Sequence, residues 1–287
     1  MIYFLAIGSA VLYGAADFTG GLTSRRAGAL PVVLLSQASG LLMVALLLPV
    51  LPHASHTRPD LIWGAIAGLT GGIGVALLYH ALSIATMAVV APTTAVCAVT
   101  IPVVVSVLLG ERPAPFAVAG IALGIGSNVL VSRQTAAQAE PHEPTSRNQR
   151  SSGIGIALLS GVAIGLFYLS LARTSPAAGL WPLVAARSVS VAFFGVLGLA
   201  GKRSLRMPGR VAALAAFGGI IDMLANALYM VAAQQGPLST VVTLSSLYPA
   251  STVLLARLIL GERLNAWQIT GVACALAAVV LIVSGGP

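Results

Sequence analysis

Ten long apolar runs, separated by short polar or charged breaks, organise the chain: residues 2–22, 30–51, 60–82, 86–109, 114–132, 153–173, 178–200, 209–233, 239–260 and 266–284. Each run is continuous, without the in-and-out alternation over about ten residues that marks a barrel strand. Each also approaches the roughly 20 residues that a helix needs to cross about 30 Å of hydrocarbon. Helices are the remaining way to keep backbone groups bonded inside lipid. The pattern therefore predicts an all-α integral membrane protein with ten transmembrane helices.

The runs repeat. Leu-Gly-Glu-Arg occurs at Leu109–Arg112 and again at Leu260–Arg263, 151 positions later. At that spacing Gly120 also matches Gly271, Ala122 matches Ala273, Val129 matches Val280 and Leu130 matches Leu281. Near the start of each half, Ser9 falls on Ser160, Val11 on Val162 and Gly14 on Gly165. Between the halves lies one long polar stretch, Ser132 to Gly153, rich in Pro, Ser, Gln and Glu, which has the composition of a disordered linker. The expected organisation is a first five-helix repeat over 1–132, a linker over 133–152 and a second repeat over 153–287. Five is odd, so the second half enters the membrane from the opposite side. That is an inverted repeat around a central cavity, the plan by which secondary transporters expose one midplane site to either side in turn. Gly-Glu-Arg reads as the turn between the fourth and fifth helices. Glycine supplies a left-handed cap, the acid sits near the start of the next helix where the helix dipole favours it, and the Arg reaches to the interface.

Composition agrees with lipid as the solvent: 57% of residues are hydrophobic and 8% charged, against roughly a quarter charged in a soluble domain. The net charge of +8 is then a matter of membrane topology rather than nucleic-acid binding. The loops on the N-terminal side hold Arg58, Arg112 and Arg173, three in all, while the opposite side holds the eleven from Arg25 to Arg263, including Lys202. Basic residues collect in cytoplasmic loops, which puts both termini outside the cytoplasm. Arg187 is the one basic residue deep inside a run, since Arg173, Arg210 and Arg257 lie within four residues of a run's end. The first run lacks a basic start and a cleavage site, so it is expected to stay as a helix. Cys97 and Cys274 lie within runs and are expected to pack; no metal or cofactor is implied.

The same residues carry a family resemblance. An apolar fourth helix with internal prolines (Pro92 and Pro102, then Pro249), Leu-Gly-Glu-Arg, and a fifth helix with an aromatic (Phe116, Trp267) and a glycine one turn on (Gly120, Gly271) resemble the EamA domain of the drug/metabolite transporter superfamily. "LLYHALSIATMAVVAPTTA" from Leu77 and "PLVAARSVSVAFFG" from Pro182 are similar to other passages of that family. The resemblance implies a membrane transporter with two five-helix repeats, whose substrates in different members include amino acids, sugars, nucleotide sugars, purines and drugs. It also implies cytoplasmic termini, where the charge distribution points the other way.

Candidate chemistry lies with polar groups inside the runs, because an ionisable side chain at mid-bilayer is costly and faces a bundle interior or a cavity. Those groups are Asp17, Gln37, His80, Asn128, Arg187, Asp222 and Asn226, with the tyrosines. Ser9, Tyr13 and Asp17 recur every four residues, and Asp222, Asn226 and Tyr229 share one face likewise, so both stripes look inward. Arg187 and Asp222 come to similar depth on neighbouring helices. Either they form a structural ion pair, or Arg187 meets a substrate carboxylate while Asp222 meets an amino group or takes a proton. Asp17 and His80, each near the cytoplasmic end of its helix, are candidates for a proton relay or gate. Tyr13, Tyr79, Tyr168, Tyr229 and Tyr248 are candidates for an amphipathic cavity wall that suits apolar side chains or, through cation–π attraction, organic cations. Pro92, Pro102 and Pro249 are candidate helix hinges.

No catalytic motif and no phosphate-binding loop accompanies these residues, which argues against an enzyme or an ATP-driven pump. The sequence reading is a secondary transporter in the cytoplasmic membrane, a monomer or weak homodimer whose partners are lipids and a small metabolite. The leading substrate is an amino acid, exported, as in the family's YddG-type exporters. The alternative is a proton-coupled exporter of drugs or organic cations.

Overall fold

The computed structural model describes residues 1–50, 54–85, 87–132, 147–201, 205–260 and 266–284. Of the expected linker over 133–152, residues 133–146 lie outside them and 147–152 open α6; Gly261, Glu262 and Arg263 of the second Leu-Gly-Glu-Arg also lie outside. Eleven α-helices and no strand occur among the described residues: α1 (Ile2–Ala27), α2 (Ala29–Leu47), α3 (Arg58–Ile84), α4 (Met87–Leu108), α5 (Pro115–Ser132), α6 (Arg147–Ala172), α7 (Trp181–Ala200), α8 (Gly209–Gln235), α9 (Leu238–Ser245), α10 (Tyr248–Leu260) and α11 (Ala266–Ser284). A single 3-10 turn at Pro176–Ala178 leads into α7.

Eight segments among the described residues are long and apolar enough to cross a membrane, with α9 and α10 together forming one of them. Shorter apolar helical stretches cover Pro115–Ser127 and Ile269–Ser284, within α5 and α11. The ninth run is broken rather than continuous. Pro249 has no N–H for the Ser245 carbonyl and its ring crowds that oxygen, so α9 stops at Ser245 and α10 starts at Tyr248. Pro92 and Pro102, in contrast, sit inside an unbroken α4.

The helices keep the 151-residue offset seen in the sequence. Arg58–Ile84 of α3 shifted by 151 gives the bounds of α8, and Met87–Leu108 of α4 shifts onto the span of α9 with α10. Packing also maps onto itself when the halves are exchanged: α1 lies on α8 as α6 lies on α3, and α2 lies on α8 as α7 lies on α3. Individual hydrogen bonds repeat too. Thr94 Oγ1 donates to the Ala157 carbonyl at 3.1 Å, and Ser245 Oγ, its counterpart, donates to the Ala6 carbonyl at 3.4 Å.

Small residues set how closely these helices approach. Gly64, Gly68 and Gly72 of α3 run along Pro182, Ala186 and Ser190 of α7; a Cβ on Gly68 would lie 2.1 Å from the Ala186 carbonyl oxygen. Gly120 meets Ala278 and Ile282 of α11, and Gly161 meets Thr94 and Cys97 of α4, so these small-residue motifs join helices within one chain.

Many contacts are sealed by hydroxyls that have an acceptor on their own helix as well as one across the seam. Ser251 Oγ lies 2.8 Å from the Tyr248 carbonyl and 3.1 Å from that of Ala10. Ser39 Oγ is 2.9 Å from the Ser36 and Ala216 carbonyls alike. Thr252 Oγ1 lies 3.1 Å from Tyr248 O and 3.2 Å from Gly14 O.

The described Gly-Glu-Arg turn follows α4. Gly110 takes φ +99°, the left-handed cap expected of it. Glu111 departs from expectation: its carboxylate serves not the next helix but the first turn of α9, accepting from the backbone N–H of Ser239 at 3.2 Å and from the Ser239 hydroxyl. The four orphan N–H groups of any helix start make it a good carboxylate site, and folding brings α9 there. At α3, Thr57 donates its N–H to Asp60 at 2.9 Å, while the other oxygen of Asp60 accepts from the Ser175 N–H at 2.7 Å, tying the start of α3 to the loop before α7.

Candidate functional site

Seven helices, α1, α2, α3, α6, α7, α8 and α10, surround a cavity with about 610 Å³ of atom-free space, its open side included. Its walls are mostly apolar, with a few charged and polar groups, as small-molecule sites are. Close contact along the α3–α7 glycine stripe holds α7 firmly, and Ser190 Oγ donates to the Gly68 carbonyl at 2.5 Å. Arg187 is thereby aimed at α2 and α8, where Gly40 leaves it room: a Cβ there would come 3.4 Å from the Arg187 Nε.

Arg187 and Asp222 form an ion pair at 2.5 Å, both buried. The guanidinium also donates to the Gln37 side-chain oxygen. Asn226 Nδ2 donates to the Asp222 carboxylate at 3.1 Å and to its backbone carbonyl at 2.7 Å, and Tyr13 Oη donates to Asn226 Oδ1 at 2.8 Å. A continuous polar belt thus runs from α1 through α8 and α7 to α2. Buried charges persist only when paired and hydrogen-bonded, and here each charge has more than one partner.

Asp17 lies in the same cavity wall, one helical turn from Tyr13, 8% exposed. No described residue hydrogen-bonds or ion-pairs with its carboxylate. Tyr13, Tyr168 and Tyr248 line the cavity, with Tyr13 edge-on to Tyr168 at 6.2 Å and to Tyr248 at 6.4 Å.

Other candidates are placed differently. Tyr79 and Tyr229 are buried but stand behind the cavity wall. Tyr79 has its ring against Gly20 and its hydroxyl 3.4 Å from the Ala16 carbonyl. The Tyr229 ring packs at a tilt against Tyr168, centroids 4.5 Å apart, and its hydroxyl donates to the Tyr168 carbonyl at 3.0 Å, so it braces the wall. His80 is exposed on the outer side of α3 and does not join Asp17. Adjacent helical residues point about 100° apart, so burying Tyr79 turns His80 outward. Pro92, Pro102 and Pro249 do not line the cavity. Gln37 and Phe167 do; the sequence marked Gln37 only as a polar residue in an apolar run, and Phe167 carried no signal.

A bundle of membrane-length helices around a cavity with buried charge narrows the class, and comparison with known proteins decides the family. The EamA-like transporter family matches residues 1–133 and 142–284, once for each half. The chain belongs to the EamA-like transporter family. It is accordingly a multi-pass membrane transporter with two EamA repeats. A solved structure described as "Crystal structure of protein" shares the EamA-type chain's fold, with a TM-score of 0.71 at 18% identity over 98% of this chain and 95% of that one. No curated protein matches.

Proposed function

We propose that the protein is a secondary transporter of small metabolites, amino acids first, working by alternating access across the cytoplasmic membrane in the export direction. Ten transmembrane helices form two five-helix repeats, 1–132 and 153–287, inserted with opposite polarity and joined by the linker 133–152. Both termini lie outside the cytoplasm in this reading, which the excess of basic residues in the opposite loops supports. The observation that carries the substrate class is a cavity lined by Arg187, Asp17 and Asp222 together with tyrosines, so that one chamber offers both signs of charge and apolar walls. Arg187 has five N–H donors, of which Gln37 and Asp222 engage two, and the others suit a substrate carboxylate. Pro249, at the break between α9 and α10, is the hinge of this reading.

The lining holds one acid, Asp17, beyond the Arg187–Asp222 pair, which favours an organic cation as the second reading. Purified protein in liposomes, given labelled amino acids and organic cations with and without a pH gradient, tests both. Uptake of amino acids above empty liposomes is expected; uptake of cations alone would select the second reading. Movement of neither class would remove both.

A further inference from the structure

We infer that Asp17, rather than Asp222, is the carboxylate that receives the substrate, and that it selects a primary ammonium group; this rests on the transporter reading above. Asp222 is already committed to Arg187 and Asn226. Asp17 is nine-tenths buried, faces the cavity, and has no hydrogen-bonding or ion-pairing partner among the described residues. An isolated carboxylate in such a setting is costly, and a cationic ligand relieves that cost.

A second orphan stands in the same wall. The Tyr248 hydroxyl is buried without a partner among the described residues, and Tyr248 lines the same cavity as Asp17. Two unsatisfied acceptors plus aromatic faces describe the shell of an ammonium group with three N–H donors. The carboxylate takes one, the Tyr248 oxygen another, and the rings of Tyr13 and Tyr168 offer their π faces. A quaternary ammonium has no N–H to give and would leave both acceptors unbonded. A divalent metal wants several ligands, and no group of three metal-ligating side chains occurs among the described residues.

Three probes separate the contributions: leucine, isoamylamine (its ammonium and chain without the carboxylate) and N-acetylleucine (its carboxylate and chain without the ammonium). Binding is measured on the full chain in nanodiscs, with thermal unfolding in parallel. The wild type is expected to bind leucine and isoamylamine and to bind N-acetylleucine at least tenfold more weakly. Asp17→Asn is expected to lose at least tenfold for leucine and isoamylamine while its melting temperature stays level or rises, since a buried carboxyl group without a partner has been removed. Tyr248→Phe is expected to weaken isoamylamine severalfold. Unchanged leucine binding in Asp17→Asn, or equal binding of leucine and N-acetylleucine by the wild type, overturns the assignment and leaves the transporter reading standing. Wild-type protein that binds none of the three overturns the assignment and the amino-acid reading together.

Discussion

Glu111, in the turn after α4, caps Ser239, in the first turn of α9 and 128 residues further along the chain. The turn of the first half is thereby bonded to the second, and the acid of Leu-Gly-Glu-Arg acts between repeats.

Removing that carboxylate leaves helix-start donors without a partner. Glu111→Ala is expected to lower stability by about 1–2 kcal/mol, in the range of a lost cap, read as thermal unfolding in detergent. Ser239→Ala should cost less, since the backbone N–H still reaches Glu111. The double variant should cost less than the sum, because both changes break one interaction.

The Arg187–Asp222 pair gives a larger effect. Asp222→Asn strands a buried guanidinium, and breaking a buried pair from one side costs about 3–5 kcal/mol. Unfolding should shift accordingly, and substrate binding should fall with it. Adding Arg187→Met to Asp222→Asn should recover most of the melting temperature but not the binding, whereas Gln37→Leu alone, which removes one of two acceptors, should cost about 1–2 kcal/mol.

The α3–α7 seam is tested by size. Gly68→Ala puts a methyl group 2.1 Å from the Ala186 carbonyl oxygen, so the helices must part, at a cost of about 1–3 kcal/mol. Arg187 follows Ala186 in sequence, so ligand affinity should drop as well. Gly195→Ala, on α7 with nothing within 4 Å of the new atom, should leave both unfolding and binding intact.

Topology has a direct readout. With Cys97 and Cys274 replaced by alanine, a cysteine at Ala114 should react with a membrane-impermeant maleimide added to intact cells, and one at Met207 only after the cells are opened. The opposite labelling would place the termini in the cytoplasm.

Helical spacing made the inward stripes readable from the sequence: Tyr13 with Asp17, and Asp222 with Asn226, all line the cavity. Arg187 was legible because a lone cation within an apolar run has to face protein. What escaped depended on partners from other helices. Tyr229 lies on the same stripe as Asn226, yet Tyr168 stands between it and the cavity. His80 looked like a partner for Asp17 because both lie toward one end of their helices, and depth says nothing of rotation. The break in the ninth run has a local cause in Pro249, but Pro92 and Pro102 present the same signal within an intact helix, so proline alone does not locate a break. Glu111 met the helix start that donates to it only through the fold.

The hydroxyls at the helix seams bear on how such a bundle could move in an oil-like medium. Each of Ser39, Ser251 and Thr252 keeps a carbonyl of its own helix within reach if the neighbour withdraws. Separation there would trade one acceptor for another and orphan no donor in hydrocarbon. Such joints behave like detachable fasteners: firm enough to register two helices, yet releasable at little electrostatic penalty, so that resistance to rearrangement falls mainly on the Arg187–Asp222 belt and the glycine-lined contacts.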